Sequence, residues 1–368
     1  MDYTLEPVAF SEIEGWRDDD PSSLFPVMAR CLYHMREVKP YRTGSLGVTS
    51  DELAAVFAAA ASVSPVDAGT ARAFFETHFQ PLRIRPAAGA GGFVTAFYEP
   101  DVAVSAVPDD DFRYPFYRRP PDLVDLDDAN RPARLDSSYA FARRTASGID
   151  PYPDRRAIDG GYLAGKGLEI AWARSRVDVF FAHVQGAARL VYPDGRVQRI
   201  TYAAKAGHPF TGIGRHLVDI GEIPPAQISM LSIRAWLGAH PERVDDVLWR
   251  NRSYIFFREA PVADPALGPV AAAKVPLEAM RSIAVDRLIH TFASPVFVTS
   301  PTLTHLIGGR PFARLMMALD TGTAIVGPAR GDIFTGSGFE AGALAGNVRN
   351  AADFVILVPK PAAGRLLG

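Results

Sequence analysis

A single cysteine, Cys31, stands among 368 residues, so no intrachain disulfide can form. It lies in "LFPVMARCLYHM" at helical spacing from Leu24, Met28 and Leu32, which predicts a buried filler rather than a reactive thiol. The eight histidines form no H-x-x-x-H or H-E-x-x-H pair, and with no cysteine pair either, neither a metal nor a cofactor is expected. Formal net charge is only -2, which removes any overall pull toward nucleic acid or anionic lipid. The short runs "RRP" and "RRTASG" read as solvated arginines rather than a phosphate track. No stretch approaches the roughly 18 apolar residues of a membrane span. The N-terminal "MDYTLEPVAFSEIEGW" lacks the basic and apolar regions of a secretory signal, so a soluble chain is expected, although a trimmed leader would leave the same sequence. "GIGRHLVDIG" lacks the Gly-Lys-Ser/Thr ending of a phosphate loop, and no G-x-S-x-G elbow occurs.

What is present is ordinary globular material, 48% hydrophobic and 22% charged, in a chain long enough for two or three domains. The first ~90 residues read as helices. In "TSDELAAVFAAAASV", Thr49 and Glu52 stand in capping-box spacing. From Gly91 the texture becomes short β-branched and aromatic runs, including "GGFVTAFYEP" and "VDVFFAHVQGAARLVYPDGRVQRITYAAK", with "YPDGR" as a hairpin turn. A helical block follows at "PPAQISMLSIRAWLGAHPERVDDVLWRNR", with Pro at its start and Ile228, Leu231, Ala235 and Trp236 as its apolar positions. β texture then returns through "DFVILVP". Strand and helix do not alternate regularly, so a mainly β fold with helices, interrupted by a second β-domain, fits better than a doubly wound sheet.

Carboxylates are the remaining chemistry. "LMMALDTGTAIVGPARGDIFTGSG", residues 315–338, places Asp320 and Asp332 in glycine-rich strand texture, where a desolvated carboxylate is costly unless something satisfies or uses it. "ALDTG" is the string of an aspartic protease, but that chemistry needs two carboxylates sharing a proton and the chain has no second Asp-Thr-Gly or Asp-Ser-Gly. Asp332, flanked by Ile333 and Phe334, is the alternative: a carboxyl kept protonated by desolvation, or else a plain turn cap at a strand end.

The segments "GGFVTAFYEP", "YPFYRRPPDLV", "GLEIAWARSRVDVFFAHVQGAARL", "YAAKAGHPFTGIGR", "SYIFF", "VPLEAMRSIAVDR" and "RLMMALDTGTAIVGPARGDIFTGSGFEAGALAG" occur in an order that resembles the lytic murein transglycosylase A family from Gly91 to Pro359. The resemblance implies a double-psi β-barrel with N-terminal helices from residues 1–98 and 203–368, a smaller β-barrel inserted over 99–202, and a groove for glycan. It implies a periplasmic enzyme, with outer-membrane association through a leader not present in this chain. That enzyme would cut peptidoglycan strands between N-acetylmuramic acid and N-acetylglucosamine to give a 1,6-anhydromuramyl product. The three aspartates of its C-terminal domain fall on Asp286, Asp320 and Asp332, the catalytic acid on Asp332. Thr95, Tyr98, Gln185, Lys205 and His208 fall on sugar-binding segments, with Gln185 read as lying between a strand and a glycine. Ala96, Ala187, Ala188, Ala204 and Ala206 depart from the family pattern and would remove sugar contacts or restrict the backbone. A non-catalytic, expansin-like wall binder and an aspartic protease are the competing expectations.

Overall fold

The computed structural model describes every residue except 1, 2, 65, 88, 90 and 368. The chain divides into two compact units, one made of residues 1–98 and 264–368, the other of 99–263.

The first unit is built around a closed ring of six strands. In chain order these are β1 (Gly92–Glu99), β2 (Ser282–Val285), β3 (Pro295–Ser300), β4 (Phe312–Asp320), β5 (Arg330–Ser337) and β6 (Arg349–Pro359). Around the ring the order is β6-β3-β4-β2-β5-β1, and β1 pairs back onto β6. Most resolved pairings are antiparallel, but β2 and β4 run parallel. Strand Phe79–Pro86 continues the sheet from β6, and Tyr3–Pro7 edges it. Residues 315–319 of β4 and 354–358 of β6 are all buried, so these runs are apolar without alternation.

Three N-terminal helices pack on this sheet, as do the C-terminal helices Phe339–Ala345 and Lys360–Leu367. Leu24–Glu37 buries Leu24, Met28 and Cys31 as its spacing predicts. Ser50–Ala60 opens on the expected box, with Glu52 N donating to Thr49 Oγ1 and Thr49 N to Glu52 Oε2. Ala68–His78 follows, capped by Asp67. The two strands before residue 90 were not expected, because Pro81 and the charged Arg83 and Arg85 mask the alternation of "FQPLRIRP".

The second unit carries a six-stranded sheet in the order 255–259, 197–205, 187–191, 101–105, 169–173, 114–117, and its two ends meet at a parallel bridge between Arg118 and Phe257. The hairpin at 192–196 forms as expected, with Gly195 N donating to Tyr192 O. The stretch read as strand before it is instead the helix Arg176–Gln185, started by Ser175 and stopped by Gly186 in the left-handed conformation at φ 75°. The helix expected from Pro224 starts later, at Met230, because Ser229 and Ser232 form its capping box. It buries Trp236 and Leu237 while Leu231 is exposed.

The expected return to the first unit at residue 203 also differs. The strand Val197–Lys205 pairs from Ile200 to Lys205 with Ile255–Glu259, and residues 203–263 group with the second unit.

Candidate active site

β2 places the aspartates. Its Ala284 stands in register with Asp332 on β5 to one side and with Asp320 on β4 to the other. Directly paired residues in a ladder share a face, so one alanine separates two carboxylates on the same side of the sheet. Gly331, just before Asp332, lets the strands pack closely: a Cβ there would meet Ile283 Cδ1 at 2.5 Å and push that side chain aside. Asp286 follows where β2 ends.

The three carboxyls then differ in what holds them. Asp286 accepts from Leu288 N at 3.0 Å and Gly327 N at 2.9 Å, so both oxygens are engaged in shaping the loops around it. Asp320 accepts from Ala272 N at 3.1 Å and from the backbone of Thr321. Although part of its residue surface stays open, burial of the carboxyl raises its pKa to about 6, against the two backbone donors. The charge of Asp332 adds to that rise and Lys274 opposes it.

Asp332 is different. Burial lifts its pKa above the ordinary carboxylate range, opposed by the Thr95 hydroxyl and then by the Arg330 guanidinium. Thr95 Oγ1 donates to Asp332 Oδ1, and Arg330 Nη2 donates to Thr95 Oγ1 at 2.7 Å. Arg330 is itself fixed by a bond from Nη1 to Gly331 O and by its position over the Phe93 ring, 5.4 Å from the centroid. The other oxygen, Oδ2, has no hydrogen-bond partner among the described residues. A carboxyl in this state holds its proton to higher pH than an ordinary carboxyl and keeps one oxygen unpartnered, the two features a general acid needs. Arg330 and Lys274 were missed in the sequence. Arg330 stands two residues before Asp332 on a strand, the spacing that puts both on one face, so the signal was present.

Of the remaining expected residues, the first unit holds Tyr98, half-buried at the end of β1 with its ring against Gly342. Gln185, Lys205 and His208 belong to the second unit. Gln185 is the last residue of its helix rather than a strand end, and its Nε2 lies 3.6 Å from Met230 Sδ. Lys205 ends its strand, half-buried. His208 is buried, with Nε2 on Tyr152 O at 2.6 Å and burial lowering its pKa. That is the geometry of a residue pinning a turn. Ala188, Ala204 and Ala206 have no exposed surface and pack in the interior of the second unit, and Ala187 is nearly as buried, so these small side chains answer to packing. No group of three potential metal ligands occurs among the described residues, and no helix among them is long and apolar enough to cross a membrane.

Residues 93–258 match the family described as the MltA specific insert domain, and residues 281–358 match the 3D domain. The crystal structure of a membrane-bound lytic murein transglycosylase from Agrobacterium tumefaciens shares 62% identity, with a TM-score of 0.94 over 99% of each chain. Membrane-bound lytic murein transglycosylase A of Escherichia coli (strain K12) is 32% identical over 276 residues, 74% of this chain and 67% of that protein. The structure of E. coli MltA with bound chitohexaose is 26% identical, with a TM-score of 0.67 over 91% of this chain and 90% of that one. With the aspartates of β2, β4 and β5 in place and similarity running the length of the chain, this protein belongs to the lytic murein transglycosylase A family, enzymes that act on peptidoglycan.

Proposed function

We propose that Asp332 alone acts as general acid and then general base in cleaving the β-1,4 bond between N-acetylmuramic acid and N-acetylglucosamine, and that the product carries a 1,6-anhydromuramyl end. One observation carries this reading: Asp332 combines a raised pKa with one oxygen that has no partner among the described residues and a threonine hydroxyl on the other, whereas Asp286 and Asp320 accept from backbone N–H groups. A hydrolase of the common kind needs a second carboxylate as nucleophile or as the base for water. Asp286 and Asp320, which accept from backbone N–H groups, are not given that role here. The nucleophile is then the substrate's own C6 hydroxyl.

In the first half of the reaction the Asp332 carboxyl gives its proton to the glycosidic oxygen, and the bond from C1 to that oxygen breaks. The C6 oxygen closes on C1, and its proton passes to the Asp332 carboxylate, restoring the acid with no water consumed. An intramolecular nucleophile of this kind gains up to roughly 7–11 kcal/mol in favourable geometry. Thr95 orients the carboxyl through Oδ1, and Arg330 orients Thr95.

The parallel β2–β4 pair within the closed ring supports reading the first unit as a double-psi barrel, and the meeting of the outer strands at Arg118 and Phe257 supports reading the second as a smaller barrel. That a relative's structure holds chitohexaose supports glycan as ligand here, with Thr95, Tyr98, Gln185 and Lys205 as sugar contacts. The relatives' name, membrane-bound lytic murein transglycosylase A, supports action on murein beside a membrane, and we read that place as the periplasm.

The product decides the mechanism. Mass spectrometry of digested sacculi is expected to show termini lighter by one water and resistant to borohydride. Predominantly reducible ends would overturn the intramolecular route even with Asp332 essential.

A further inference from the structure

A second cavity of about 590 Å³ lies in the first unit, lined by residues of the N-terminal turns, the start of β4 and the end of β3. It is within the roughly 300–1,000 Å³ typical of pockets that take small ligands. It is not the site just described. Arg314, on its wall, precedes Asp320 by six positions on β4, about 20 Å of extended strand, so the cavity sits at the opposite end of β4 and β2 from the aspartates.

Three arginines converge there, and they are not alike. Arg281 is buried and fully engaged, with two bonds of 2.8 Å to Asp19 and others to Leu315 O and Asp20 O. Asp19 in turn accepts from Leu315 N at 2.8 Å. That ion pair is structural, and its charge is cancelled. Arg310 and Arg314 have no hydrogen-bond or ion-pair partner for their side chains among the described residues. Arg314 is half-buried, and its charge is opposed by burial, by Arg281 and by Arg310, and favoured by Asp19, whose carboxylate is already bonded to Arg281. A partly desolvated cation beside like charges, with no carboxylate hydrogen-bonded to it, is held at a cost that a bound carboxylate or other oxyanion would lower. Around the arginines, Glu14, Asp18 and Asp20 add exposed carboxylates to the same wall. These repel a polyanion and attract an ammonium group.

We infer that this cavity is a binding site for a short peptide carrying both a carboxylate and an ammonium group, the carboxylate on Arg310 and Arg314 and the ammonium on the acidic rim. Peptidoglycan bears peptide arms on its glycan, so the site would hold an arm of the polymer while the aspartates act on a sugar bond elsewhere. That last identification rests on the family's substrate. The pocket for a zwitterionic peptide does not.

The test uses the dipeptide alanylglutamate as probe, titrated into the full chain and followed by calorimetry. Saturable binding is expected, equal in wild type and Asp332→Asn. It is expected to weaken at least about tenfold in Arg314→Met, the loss of one charge-assisted contact. Arg310 lies in an exposed loop, so Arg310→Ala keeps the fold and gives a second variant in which weakening is expected. No saturable binding up to about 10 mM, which is weaker than about -3 kcal/mol, would overturn the site. So would affinities unchanged in both arginine variants. Inorganic phosphate competing as well as the dipeptide would mark a general anion site and overturn the peptide assignment. None of these readouts depends on turnover, so a failure of the reaction mechanism would leave them standing.

Discussion

Each unit holds an ionisable side chain deprived of water beside an arginine or a histidine, and the two groups have opposite fates. In the second unit Arg155 is buried and completely engaged. Its Nε donates to Asn251 O at 3.0 Å, Nη2 to Ser253 O at 2.6 Å, and Nη1 lies 3.1 Å from His183 Nδ1. The rings of Phe180 and Tyr254 cover its faces at 4.7 and 5.1 Å. Burial depresses the Arg155 pKa and drives that of His183 well down, so the imidazole is neutral and serves as acceptor. In the first unit Asp332 is displaced by the same force, yet one carboxyl oxygen is left without a protein partner. Desolvation alone therefore does not mark a reactive group. His183 Nε2 is also left without a partner, but it is shut inside its unit; what distinguishes Asp332 is unused hydrogen-bonding capacity on a side chain that is only half-buried.

The sharpest way to break this contrast is to exchange the role of each group for an isostere. Asp332→Asn should lower sacculus turnover by about 10²–10⁴-fold, the usual share of a general acid and base. Its melting temperature at neutral pH should hold or rise, because the wild-type carboxylate is disfavoured by burial above its raised pKa. Turnover near the wild-type rate would assign the acid elsewhere. Arg155→Met should act in the reverse sense, destabilising by about 3 kcal/mol through two orphaned carbonyls and a lost buried cation, read as a lower urea midpoint. Activity per folded molecule should survive. Were it lost in well-folded protein, the second cluster would share in catalysis and the comparison would fail.

Asp320 lies between these cases, held by backbone but displaced to about 6. A raised folded pKa favours the folded state below the unfolded value of 3.8, and that contribution is lost as pH climbs to about 6. Asp320→Asn should therefore gain stability relative to wild type across that window, by an amount on the order of 1–3 kcal/mol, measured as the difference in unfolding free energy at pH 4 and pH 7. An unchanged difference would show the carboxyl to be well solvated. Thr95→Val removes a hydroxyl that lowers the Asp332 pKa, so the alkaline limb of the activity profile should move to higher pH, with turnover reduced about tenfold by loss of orientation. A profile that keeps its position would detach Thr95 from the acid. The smallest effect is expected for Gln185→Ala, a severalfold weaker glycan affinity on the Asp332→Asn background without loss of stability. Equal affinities would remove Gln185 from the sugar contacts.

The sequence carried the aspartates because a carboxylate in apolar strand texture is conspicuous, and it carried the Thr49–Glu52 and "YPDGR" starts and turns because those are local chemistry. It did not carry the helix Arg176–Gln185. "VDVFFAHVQ" is rich in β-branched and aromatic residues, and its helical state is set by Ser175, Gly186 and burial of one face, with packing overriding propensity. The boundary at 263 was equally hidden, since it depends on the pairing of 197–205 with 255–259 across fifty residues of intervening helices. Arg330 was legible but unread. Its partner Thr95 is 235 positions away, and only the closed ring brings them together.

That closure also sets an order of events during synthesis. β1 is made early, but its neighbours in the ring, β5 and β6, emerge only after the whole of residues 99–263 and most of the C-terminal segment. The intervening unit, contiguous in sequence, is free to fold as soon as it is complete, while the ring must wait for Arg349–Ala352 to reach Gly92–Thr95. Pairings of such long sequence separation form slowly. Asp332 and the Thr95 hydroxyl bonded to it are therefore among the last features to assemble. A chain interrupted anywhere before its final strand is left without a closed ring, so the Asp332–Thr95–Arg330 arrangement arrives all at once, at the end.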